Sequence, residues 1–126
     1  MNWIEIKDKY PKAYKEFIKW HPYLTLTNVT LYGDDLTYDT DDYTRILNPR
    51  LLYDFFYDNG IITDVNNSLH DSGKSWFVEV YKREAFKTRN SFYTECLSGN
   101  YKDMTRAEAE SIAFTEAFSV LEIKLG

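Results

Sequence analysis

Toward the end of the chain, apolar side chains recur at almost every angle of a helical projection. Ser111, Thr115, Ser119, Glu108 and Glu122 gather into one narrow polar stripe. Ala107, Ala109, Ile112, Ala113, Phe114, Ala117, Phe118, Val120, Leu121 and Ile123 take most of the rest. A surface helix needs an apolar stripe of about 100° or somewhat more. This helix exceeds that widely, which predicts near-complete burial: a sheet on one side, another helix or a second subunit on the other. Thr105 and Glu108 have the spacing of a capping box at its start.

The same reading along the rest of the chain predicts three more helices and several strands. Asn2 and Glu5 cap a first short helix. Pro11 suits the first turn of a second, residues 11 to 20, with Ala13, Tyr14, Phe17, Ile18 and Trp20 on one side and Lys12, Lys15 and Lys19 on the other. His21-Pro22 ends it. Residues 23 to 32 read as extended, but the alternation slips at Thr27-Asn28, which predicts a bulge or tight turn. Gly33 to Asp42 reads as an acidic loop. Asn48-Pro49 starts a helix and Asn59-Gly60 stops it, with Leu51, Leu52, Phe55 and Phe56 in one arc and Arg50, Asp54 and Asp58 opposite. Ile61 to Val65 and Trp76 to Lys82 read as strands of a hairpin. In the second, Trp76, Val78 and Val80 share one face and Phe77, Glu79 and Tyr81 the other. Ser91 to Leu97 reads as a further strand, and Ser98-Gly99-Asn100 as a turn. This order predicts one α+β domain over residues 1–126. A small antiparallel sheet of three to four strands is packed by the long C-terminal helix, a central helix and an N-terminal helix pair.

Composition sharpens this picture in one respect. The chain has 126 residues, and 17% of them are aromatic: 11 Tyr, 8 Phe and 3 Trp. Disordered chains are poor in aromatics, so that class is excluded. No apolar run approaches the roughly 18 residues of a membrane span, and MNWIEIKDKYPK lacks a signal-peptide core. A cytoplasmic protein is the expectation. The net charge of −5 is unevenly spread: residues 34 to 71 carry nine Asp against Arg45 and Arg50, and residues 74 to 106 carry seven basic groups against four acids.

Candidate chemistry is sparse. Gly33, Gly60, Gly73, Gly99 and Gly126 lie too far apart for a phosphate-binding loop. His21 and His70 have no ligand spacing, and His21 reads as a packing or capping residue. Counted from Asp39, the acidic loop places Thr44 where a calcium loop needs glycine and Arg50 where it needs glutamate. No metal and no cofactor is therefore expected. Cys96, in a strand, reads as a buried, inert thiol. The Lys12, Lys15 and Lys19 face reads as solvated rather than membrane-bound. Two readings remain beside simple packing. The hairpin around residues 76–93 interleaves aromatics with Arg83, Lys87 and Arg89, a pattern suited to stacking bases and holding phosphates. Alternatively, a strand carboxylate such as Glu79 or Glu95, with Tyr81 or Arg83 nearby, serves a small ligand or an enzyme reaction.

Three stretches, WIEIKDKYPKA (Trp3 to Ala13), NPRLLYDFFYDNGI (Asn48 to Ile61) and RAEAESIAFTEAFSVLEIKL (Arg106 to Leu125), carry caps and core. They resemble small proteins of phages and mobile elements of Bacteroidetes, a group with no established function. The resemblance implies an accessory gene product that binds a host or virion protein.

The leading expectation is a non-enzymatic interaction protein. The acidic, tyrosine-bearing segments are its predicted partner surface: Tyr38, Asp39, Asp41, Asp42 and Tyr43, with Asp54, Tyr57 and Asp58. Interfaces are enriched in aromatics, and a basic protein or a second copy of the chain fits as partner. Nucleic acid is the less favoured partner, because the chain as a whole is acidic.

Overall fold

A computed structural model describes residues 1–68, 74–85 and 91–126. Its elements run α1 (Trp3–Lys9), α2 (Pro11–Trp20), β1 (Val29–Tyr32), β2 (Asp35–Asp39), β3 (Thr44–Ile46), α3 (Leu51–Asp58), β4 (Ile61–Ser68), β5 (Ser75–Ala85), β6 (Ser91–Tyr101) and α4 (Arg106–Leu125). The fold is α+β, with the helices where the apolar periodicity puts them. The strands form two three-stranded antiparallel sheets, β1-β2-β3 and β4-β5-β6, rather than one sheet of three or four.

The helix ends follow from local chemistry. The Asn2 side chain accepts from the Glu5 N–H at 3.1 Å. At α4, the Thr105 side chain accepts from the Glu108 N–H at 3.2 Å while the Glu108 carboxylate accepts from the Thr105 N–H at 3.1 Å. Asn48 and Pro49 stand outside α3 in a preceding tight turn, where the Asn48 side chain accepts from the Arg50 N–H at 3.0 Å. Pro49 therefore precedes the first helical residue instead of being it. At the other end, Gly60 adopts φ +75, and the Lys124 ammonium donates to the Asn59 carbonyl at 2.6 Å. That contact ties the end of α4 to the end of α3.

α4 packs on β4, β5, β6 and α2. From Ala109 to Glu122 no position is exposed, which is the all-round burial its sequence predicts; Ala107 and Ile123 lie outside that span and are exposed. Phe114 and Phe118 join Trp3, Phe17, Phe55 and Phe56 in a cluster of rings. The Phe17–Phe55, Phe56–Phe118 and Trp3–Phe118 centroids lie 5.1, 5.0 and 5.8 Å apart. Burying such rings dominates core energetics. Glu110 alone among the charged residues of α4 is buried. It accepts from the Tyr53 hydroxyl at 2.8 Å, with Arg50 Nε at 3.4 Å and Arg106 Nε at 3.7 Å. The sequence places Arg50 on the face of the central helix opposite its apolar arc; in the structure Arg50 precedes that helix and its guanidinium reaches this carboxylate.

Four strand expectations are corrected. Residues 23 to 28 are turn rather than strand: the Asn28 amide donates to the Tyr23 and Asp39 carbonyls at 2.8 and 3.2 Å, and its oxygen accepts from the Thr25 N–H at 2.8 Å. The slip in alternation marks the true start of β1. The supposed acidic loop contains β2, with Leu36 buried. β3 is a short, fully exposed edge strand that sequence reasoning passes over. Finally, Ser98, Gly99 and Asn100 continue β6, paired with Glu79, Val78 and Phe77.

Candidate interaction surface

Strand alternation sends Ile61, Val65, Trp76, Val78 and Val80 inward, where all are buried against the core. The opposite parity forms the outer face of the second sheet. Its rows follow from the register. Tyr81 lies between Ile62 on β4 and Glu95 on β6. Glu79 lies between Asp64 and Ser98. Phe77 lies between Asn66 and Asn100, and Arg83 opposes Tyr93. α4 packs on the inward side of this sheet, and these outward residues are exposed or half-exposed.

A bulge shapes this face. Val80 pairs with Leu97 and Tyr81 with Glu95, so Cys96 is the extra residue of β6. The bulge reverses the parity of β6, so that Glu95 and Tyr93 share the outer face with Ser98 and Asn100 and oppose Tyr81 and Arg83. Cys96 itself is half-buried, its thiol pushed up by burial and donating to the Thr94 carbonyl at 3.6 Å. That position gives the thiol no nucleophilic advantage.

Ile62, Tyr81 and Tyr93 line a shallow open hollow of about 250 Å³. The Tyr81 hydroxyl donates to the Glu79 carboxylate. This bond, with partial burial and the neighbouring charges of Glu79, Glu95 and Asp64, pushes the phenol up to about 12. The three carboxylates thus stand near the Tyr81 phenol. Tyr93 remains 56% exposed, a large ring on open sheet. For the small-ligand reading the geometry matters: Glu79 and Glu95 stand on an open sheet face, not in a deep pocket, and Glu79 is engaged by Tyr81.

The acidic segments expected to form the partner surface are divided. Tyr38, Asp39, Asp41, Asp42 and Tyr43 occupy β2 and the turn to β3. There Asp39 accepts from the Thr44 hydroxyl at 2.7 Å, and Arg45 lies over the Tyr43 ring at 4.6 Å. Asp41 and Asp42 are exposed, and a hollow of about 430 Å³ is lined by Tyr23, Tyr38, Thr40, Asp41 and Arg45. Asp54, Tyr57 and Asp58 lie exposed on α3. One chain of contacts links the two groups: Asp58 accepts from the Trp20 indole N–H at 2.8 Å, and His21, next to Trp20, packs on Tyr38 at 5.6 Å. Arg83, of the basic hairpin, is exposed beside Tyr93; Lys87, Arg89 and His70 lie outside the described residues. Among the described residues, no three of His, Cys, Asp and Glu gather as a metal site. No helix described is long and apolar enough to cross a membrane.

Compared with family models, curated proteins and solved structures, the chain matches none. The surface must therefore be read from its own chemistry. Sequence reasoning singles out Tyr81 and Glu79 but not their neighbours Ile62 and Tyr93. The signal for Ile62 is present in the alternation of β4, where Ile62 has the parity of Asp64 and Asn66 rather than that of Ile61 and Val65.

Proposed function

We propose that this chain is a non-enzymatic protein-interaction protein that docks a partner protein on the outer face of the β4-β5-β6 sheet. The observation that carries this reading is the patch of Ile62, Phe77, Tyr81 and Tyr93 on a sheet face whose reverse side is packed by α4. Aromatic residues on an otherwise polar surface are the compositional mark of an interface core, and the carboxylates and amides around them supply a polar rim. A flat, open surface suits a protein better than a small molecule, which requires a concave site. The resemblance to phage and mobile-element proteins would make the partner a protein of the host cell, and the site of action its cytoplasm. The segments around Tyr38–Tyr43 and Asp54–Asp58 would extend the contact or serve a second one.

The test is a quantitative pull-down from the native cell with the intact chain, a Tyr93→Glu variant and a Tyr32→Ser control, Tyr32 being an exposed ring of β1 outside these surfaces. The expected result is a protein captured by the intact chain and by the control and lost with Tyr93→Glu. Capture indifferent to Tyr93, or no saturable capture, overturns the reading. Sedimentation at several concentrations shows whether that partner is a second copy of the chain.

A further inference from the structure

The hollow between Ile62, Tyr81 and Tyr93 has a chemistry that narrows what the docking face accepts. We infer that it seats one cationic side chain, a lysine or arginine, of the bound partner. The inference rests on the reading of this face as the docking surface.

Three features lead to it. The walls are two phenol rings and an isoleucine side chain, wide enough at about 250 Å³ for the alkyl stem of one long side chain. The faces of aromatic rings carry negative quadrupole potential and attract ammonium and guanidinium groups. Around the rings stand Asp64, Glu79 and Glu95, placed by register in the same row as Tyr81 or the row beside it. Among the described residues, Arg83, opposite Tyr93, is the one cation that the register places on this outer face, against these three carboxylates. A neutral apolar side chain would fill the hollow but bring no countercharge to Asp64 and Glu95, or to Glu79 beyond its bond from Tyr81. An anionic one would meet them at close range. A long cation satisfies both the rings and the rim, with its stem on Ile62 and its head toward Glu79 and Glu95.

The chain already uses this chemistry within itself: Arg45 lies over Tyr43, and the Arg106 guanidinium lies 5.8 Å from the centre of the Trp76 ring.

The experiment titrates the full chain with acetyl-lysine-methylamide and, separately, with acetyl-norleucine-methylamide, which has the same kind of stem without the charge. The methyl signals of Ile62 and the ring signals of Tyr81 and Tyr93 are followed by NMR. The lysine probe is expected to shift these signals saturably and to bind about five-fold or more tightly than norleucine, as a ring–cation contact reinforced by carboxylates predicts. Glu79→Gln with Glu95→Gln removes most of that preference. Tyr81→Phe, which keeps the ring, retains part of it. Equal or tighter binding of norleucine overturns the inference, because the hollow is then merely apolar. So does a lysine response spread evenly over Asp34–Asp42, which would mark general charge attraction, and so does the absence of any response. If partner capture depends on Tyr93 but the lysine preference is missing, the docking surface stands and the cation seat falls. If the preference is present but capture ignores Tyr93, the reverse holds.

Discussion

His21 lies at the end of α2, only 6% exposed, against the rings of Phe17, Trp20, Tyr23 and Tyr38. Its Nδ1 accepts from the Tyr23 N–H at 3.1 Å, and an acceptor nitrogen carries no proton. Burial lowers its readiness to protonate below the usual 6.5. The sign follows directly: below about pH 6.5 the unfolded chain binds a proton that the folded chain refuses, so stability falls as pH falls through that range. His21→Asn keeps an acceptor for Tyr23 but does not titrate and fills less space. It is expected to cost about 1–3 kcal/mol at neutral pH and to flatten the decline between pH 6.5 and 5. Urea unfolding at stepped pH checks this, and an unchanged slope in the variant would refute it. The packing and capping role of His21 is legible in sequence, because histidine before proline at the end of an apolar helix face has few other uses. Its partner Tyr38 is not, since that contact joins residues from different elements.

At the scale of elements, α4 shows how far periodicity reaches. Ala109, Ala113 and Ala117 are fully buried at successive turns, and small side chains there let the neighbouring layers approach closely. Ala113→Leu adds volume with nowhere to go and is expected to destabilise the protein by about 1–3 kcal/mol. The same change at Ala107, which is exposed, should leave stability within about half a kcal/mol. Denaturant midpoints of the two variants measure the contrast, and equal midpoints would mean that α4 is not enclosed. The helices were readable because apolar spacing, caps and prolines agree with one another. The strands were readable only where burial imposes alternation. β3 is three exposed residues and carries no such signal. β2 is disguised by its acidic surroundings, with Leu36 its one buried anchor. The continuation of β6 through Gly99 contradicts a local turn preference, and the ladder to β5 outweighs that preference. The face that became the candidate site depends on a bulge at Cys96, which no residue pattern announces.

On the scale of the whole molecule, the distribution of charge over the described residues favours the proposed protein partner over a nucleic acid. Basic residues do interleave with aromatics around β5. However, Lys82 lies 3.6 Å from Glu84, and Arg83 shares the outer face with Asp64, Glu79 and Glu95. Strands that bind single-stranded nucleic acid by stacking combine rings with a positively charged groove that follows the phosphates. Here the rings stand among carboxylates, in a molecule of net charge −5, and each carboxylate near the backbone repels what an arginine would hold. Short single-stranded RNA and DNA are therefore expected to show no retardation with this protein even at low salt, where phosphate attraction is least screened. Retardation that weakens steeply with salt and disappears in Arg83→Ser would reverse the argument, because the tyrosines would then be base-stacking platforms. Retardation unaffected by Arg83→Ser would place the contact elsewhere, on the exposed Lys12, Lys15 and Lys19 face of α2. That face has cations but no ring on its own side, and so lacks the stacking half of such an interface.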